Sequence, residues 1–82
     1  MVIAVTMVNV QPGREKDFYM AVKDVKNVRD VIHVFGEFDF IVIVEAKDLA
    51  ELNDTVDTIR GLNGVTKTQT VIGAEIWRDR ER

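Results

Sequence analysis

One stretch constrains this chain more than any other. Gly36-Glu37-Phe38-Asp39 runs straight into Phe40-Ile41-Val42-Ile43-Val44-Glu45-Ala46. The first four residues read as a tight polar turn and the rest as a β-strand. A strand with one wet face alternates apolar and polar side chains. This one is apolar at every position from Phe40 to Val44, so both of its faces require cover. The rest of the sequence supplies about two helices, enough to cover one face of a sheet. The second face must be covered from outside the chain, and an identical subunit is the simplest source. The turn lies at the sheet's end, placed to hold a small ligand.

Composition narrows the function classes. With 82 residues the chain has room for a single domain over residues 1–82 with a thin core. There are no cysteines, so neither a disulfide framework nor a thiolate metal site is expected, and no other metal-ligand spacing occurs. No cofactor is expected. Met1 is followed by Val-Ile-Ala-Val, without the basic start or small-residue cleavage site of a signal peptide. No apolar run is long enough to span a membrane. A cytoplasmic, reducing location is the expectation. The net charge of −3 argues against direct nucleic-acid binding. The dense charge run Arg78-Asp79-Arg80-Glu81-Arg82 reads as a solvated tail.

The periodicities give an order of elements. Val2 to Val10 is a strand with Val2, Ala4, Thr6, Val8 and Val10 on one face and Ile3, Val5, Met7 and Asn9 on the other. Gln11-Pro12-Gly13 ends it. Arg14 to about Lys26 reads as a helix with an apolar stripe of Phe18, Ala21, Val22 and Val25. Val28 to Phe35 and Phe40 to Ala46 form a hairpin around the turn. Asp48-Leu49-Ala50-Glu51 is a capping box opening a helix with Leu49, Leu52, Val56 and Ile59 on one stripe, and Gly61 and Gly64 close it through left-handed dihedrals. Val65 to Trp77 is a long last strand in which Gly73 marks a bend or bulge.

Strand, helix, strand, strand, helix, strand is the βαββαβ order of a ferredoxin-like α+β sandwich. Right-handed crossovers place both helices on one face of a four-stranded antiparallel sheet. The other face is left bare, with Ile3, Val5, Met7, Ile41, Ile43, Ile72 and Ile76 assigned to it. That set is too apolar to stay wet and points to a dimeric α/β barrel.

On these residues the chain resembles the effector-binding domain of Lrp/AsnC regulators, also called the RAM domain. The resemblance rests on Gly36-x-x-Asp39, the strand Ile41 to Lys47, Asp48-Leu49-x-x-Leu52, Ile59-Arg60-Gly61-Leu62-Asn63-Gly64-Val65, and Thr66 to Thr70. It covers essentially the whole chain, which leaves no room for the family's helix-turn-helix and so reads as a stand-alone form. The resemblance implies homodimers packed sheet to sheet, assembled into a ring of dimers (an octamer or decamer), with an amino acid bound between dimers. It implies that Gly36, Glu37, Phe38 and Asp39 hold the amino and carboxylate ends of the ligand. Thr68 and Thr70 would add hydroxyl contacts, and Asp54 and Thr58 would approach the side chain. Full-length Lrp/AsnC-type regulators are the implied protein partners.

The local chemistry admits this role and a plainer one. A free amino acid needs donors and acceptors a few ångströms apart. A glycine turn exposes backbone N–H groups, and Asp39 supplies an acceptor. Equally, Asp39 can close a hairpin by bonding backbone, the threonines can be strand filling, and Asp54 can face solvent. His33 is the single histidine and has no nucleophile or acid/base partners in sequence, so catalysis at it is disfavoured and an interface position expected. Tyr19 and Trp77 read as subunit contacts. The expectation is a non-enzymatic, oligomeric amino-acid-binding module that modulates transcription of amino-acid metabolism. A small ferredoxin-like oxygenase or isomerase and a ligand-free scaffold are the alternatives.

Overall fold

The computed structural model describes residues 1–74. Its elements are β1 (Val2–Val10), α1 (Glu15–Val22), β2 (Val28–His33), β3 (Phe40–Ala46), α2 (Leu49–Arg60) and β4 (Val65–Ile72). The strands form one antiparallel sheet in the order β2-β3-β1-β4, so β1 and β3 are central and β2 and β4 are edges. This is the expected ferredoxin-like βαββαβ fold.

The core lies between the sheet and the two helices. Ala4, Val8 and Val10 of β1 and Phe40, Val42, Val44 and Ala46 of β3 are buried against Phe18 and Val22 of α1 and Leu52, Val56 and Ile59 of α2. The period-two alternation of β1 puts Thr6 on this same buried face, as the sequence pattern requires. Its hydroxyl is satisfied by Thr70 across the ladder, with the two oxygens 3.0 Å apart. Phe18 and Phe40 pack with ring centroids 4.9 Å apart, tying α1 to the centre of the sheet.

The caps follow the local chemistry. Asp48 accepts the Glu51 N–H at 2.8 Å, satisfying an orphan donor of the first turn of α2. Glu51 reaches back to the Lys47 N–H, one residue before the cap. At the other end Gly64 has φ +93 and packs on Arg14, whereas Gly61 is right-handed with φ −88. Only the second of the two glycines expected to be left-handed is so. Gly61 continues the helical backbone, and its N–H bonds the Asp57 and Thr58 carbonyls.

Other boundaries differ from expectation. α1 stops at Val22, and Ala21 is exposed rather than part of the stripe. Val25 packs on the core from the following turn, where the Val25 N–H bonds the Val22 carbonyl. β2 ends at His33, because the chain turns away after Val34, whose N–H bonds the Asp39 carbonyl. Leu49 opens α2 and is exposed, while Thr55 takes the buried place beside Val56. β4 ends at Ile72, and the Gly73 N–H bonds the Ile3 carbonyl at 2.7 Å. The register irregularities fall between Asn9 and Val10 and between Val28 and Asp30, not at Gly73. Ile76, Trp77 and the tail 78–82 lie outside the described residues.

The bare face has an apolar centre, with Asn9, Glu45, Lys67 and Gln69 toward its margins and one exchange from expectation. Ile72 pairs with Ala4 and therefore faces the helices, whereas Val71 pairs with Val5 and faces away. Ile32 pairs with Ile41 and joins the bare face too. Ile32, Ile41, Ile43, Ile3, Val5, Met7 and Val71 thus share one side of the sheet, with Ile32 48% and Val71 52% exposed.

Candidate functional site

The Gly36–Asp39 turn is built by backbone geometry and by two polar side chains. Gly36 has φ +131, a region that side chains with a Cβ rarely adopt. The Asp39 N–H bonds the Val8 carbonyl and Asn9 Oδ1, each at 3.0 Å. In return, Asp39 Oδ2 accepts the Val10 N–H at 2.9 Å. The turn is thereby clamped to the end of β1, where the register against β4 slips. Asp39 Oδ1 has no hydrogen-bond partner among the described residues. Phe38 extends across the same end of the sheet, its ring centroid 5.5 Å from Lys67 Nζ of β4.

The other expected ligand residues lie on two different surfaces. Thr68 and Thr70 face the helix side of β4 and line a cleft of about 330 Å³ with Asn53, Val56, Arg60 and Ile72. Asp54 and Thr58 lie on the opposite flank of α2. There they line a cleft of about 360 Å³ with Val25, Lys26, Asn27, Glu51 and Thr55. Thr58 bonds its hydroxyl to the Asp54 carbonyl at 3.0 Å, so this hydroxyl has a helical partner. Within one subunit, α2 separates the Asp54–Thr58 pair from the Thr68–Thr70 pair.

Asn27 shapes the second cleft. It has φ +75, its carbonyl accepts the Glu45 N–H at 2.9 Å, and its side-chain amide donates to Thr55 Oγ1 at 3.1 Å. The loop after α1 is thus stitched to both β3 and α2. Sequence reasoning passed over Asn27, Asn9, Lys67 and Arg60. Asn9 had a signal, as a lone amide at the end of an apolar strand; the Lys67–Phe38 contact has none, since it depends on the turn crossing the end of β1.

His33 lies on the helix side of edge strand β2, stacked on Phe40 with centroids 4.8 Å apart. It lines a hollow of about 360 Å³ with Glu15, Lys16, Tyr19 and Val31. It therefore sits under α1 and not on the bare sheet face. Phe35 follows on the turn and is 97% exposed. Among the described residues, no group of three or more His, Cys, Asp or Glu side chains is arranged to hold a metal ion. No helix there is long and apolar enough to cross a membrane.

Comparison with known proteins gives a consistent picture. A family model, the Lrp/AsnC ligand binding domain, matches residues 3–81. Among solved structures, TTHA0845 from Thermus thermophilus superposes with a TM-score of 0.90 at 28% identity, covering 96% of this chain and 100% of that one. The transcriptional regulator NMB0573 from Neisseria meningitidis, solved as a complex with L-methionine, superposes with a TM-score of 0.84. At 20% identity, over 95% of this chain and 53% of that one, it shares the fold. A homocitrate synthase of Sulfolobus acidocaldarius is 44% identical over 46 residues, which are 56% of this chain and 10% of the enzyme. The chain therefore spans about a tenth of the length of the curated relatives it matches.

Proposed function

The chain belongs to the Lrp/AsnC ligand-binding domain family, and from that premise we propose that it is a non-catalytic, oligomeric sensor of a free amino acid. The Gly36–Asp39 turn carries this reading. Its backbone is held open at Gly36, and Asp39 uses one carboxylate oxygen to clamp β1 while the other is left to accept an ammonium group. Glu37 and Phe38 complete the wall of that turn. Thr68 and Thr70 on one flank of α2, and Asp54 and Thr58 on the other, serve different faces of the assembly. The site is complete only where subunits meet.

Assembly begins at the bare sheet face. Ile41, Ile43, Val5, Met7 and Val71 side by side are the cover another copy would share in a homodimer. Dimers then join in a ring whose contacts bring the turn and the α2 flanks together. Ligand binding changes that assembly, or assembly with DNA-binding relatives, and so modulates transcription in the cytoplasm. A coupling of about 1–3 kcal/mol between ligand and assembly is sufficient for such control. The match to part of a homocitrate synthase favours a second reading, in which the same module senses an amino acid on behalf of a metabolic enzyme.

A thermal-shift screen of the twenty amino acids, read with native mass spectrometry, tests the reading. A ligand at a hundred times its dissociation constant adds about 2.7 kcal/mol and raises the midpoint by roughly 10–20 °C. One amino acid should stabilise the protein and alter its distribution of oligomers. No stabilisation by any of them refutes the sensor and leaves the scaffold.

A further inference from the structure

Helix α2 divides charge between its two flanks. On the β4 side, Arg60 and Thr68 line both the cleft that holds Thr70 and an adjoining hollow of about 310 Å³ shared with Val65, Thr66 and Lys67. The two hollows adjoin at Arg60 and Thr68 and lie along β4, an edge strand of the sheet. Among the described residues none that lines them is acidic, and their one charged head is Arg60, since Lys67 pairs with Asn9 on the other face of the sheet and places Nζ over the Phe38 ring. The other flank carries Glu51, Asp54 and Lys26, two acids to one base, with Lys26 paired to Glu51 at 3.7 Å.

Resting on the amino-acid reading above, we infer that the groove between α2 and β4 receives the effector's side chain, and that Arg60 selects an effector carrying a second carboxylate. The effector is then an acidic amino acid. The turn accounts for the α-amino and α-carboxylate groups and leaves the Arg60 guanidinium for the side chain. That guanidinium offers planar, paired donors suited to a carboxylate. Its protein partner is Asp57, at 3.5 Å in a solvent-exposed pair that restrains it weakly. Asn53 and Thr68 stand beside it as further donors, and Val56 and Ile72 provide apolar wall for the methylenes that separate the two ends of such a ligand. Thr70 is held by Thr6 and fixes the floor. A basic side chain would meet the Arg60 guanidinium in this groove, and an apolar one would leave its polar groups unpaired.

The experiment is titration calorimetry on the full chain with L-aspartate, L-asparagine, L-glutamate and L-glutamine. The wild type should favour each acid over its near-isosteric amide by roughly tenfold or more, the value of a charge-assisted hydrogen bond. Arg60→Gln should bring that ratio near one, while Arg60→Lys should keep part of it. Thermal melting of both variants reports whether the fold is intact, as expected for a residue on the helix surface. Equal weakening of acid and amide in Arg60→Gln would place Arg60 on the α-carboxylate and overturn the inference. A wild type that prefers the amides, or binds none of the four, also overturns it. In either case the screen of all twenty amino acids shows separately whether the sensor reading stands.

Discussion

Replacing Asp39 separates its two duties. Asp39 Oδ2 accepts the Val10 N–H at 2.9 Å, and Val10 is 6% exposed. Asp39→Ala removes a charged acceptor and leaves that N–H with little access to water. Hydrogen bonds to charged groups contribute about 1.5–3 kcal/mol, and a stranded buried donor costs a similar amount. The Asp39 N–H bonds to Val8 and Asn9 involve the Asp39 backbone and survive the change. The expected loss is therefore about 1.5–3 kcal/mol in all. For a domain of this size it lowers the melting midpoint by roughly 6–24 °C. Urea unfolding at one fixed protein concentration measures it, because stability coupled to the proposed assembly would depend on concentration. Asp39→Asn keeps an amide oxygen for Val10 and should lose less than half as much. It nonetheless removes the charge that attracts an ammonium group, so it should weaken amino-acid binding with the fold largely preserved. An unchanged urea midpoint for Asp39→Ala would refute the clamp. Equal amino-acid affinity of wild type and Asp39→Asn would refute the ammonium site.

Two further outcomes follow from the fold. Ile43→Glu places a charge among Ile41, Val5 and Met7 on the bare face and should convert dimers to monomers in sedimentation at micromolar concentration, a result excluded if the wild type is already a monomer there. Gly36→Val should lower stability by about 1–3 kcal/mol through its φ of +131 alone, since a Cβ there would meet no atom within 4 Å; an unaltered urea midpoint would show that the turn relaxes freely.

The central strands are readable because their constraint is strongest. β1 and β3 are flanked by strands on both edges and buried on the helix side, so a period-two pattern leaves no ambiguity. Strand parity also settles Ile72: it lies two residues beyond Thr70 and must share its face, contrary to its assignment to the bare side. The apolar spacing extends α1 too far because Ala21 and Val25 continue it, although the chain leaves the helix after Val22 and brings Val25 to the core from a turn. Gly61 carries the same signal as Gly64, and only the tertiary path distinguishes them. For the site, the residue types are visible but their grouping is not. The family resemblance groups Asp54, Thr58, Thr68 and Thr70 around one ligand, and within a subunit the body of α2 puts the two pairs on opposite flanks. Arg60 gives no sign, because its place beside Thr68 depends on how α2 packs along an edge strand.

The hydrogen bond from the Gly73 N–H to the Ile3 carbonyl has a consequence for how such a domain can be carried. It brings the start of β1 and the residue after β4 side by side, at the end of the sheet remote from the Gly36–Asp39 turn. A polypeptide can therefore run into and out of this fold through one narrow doorway without parting any strand.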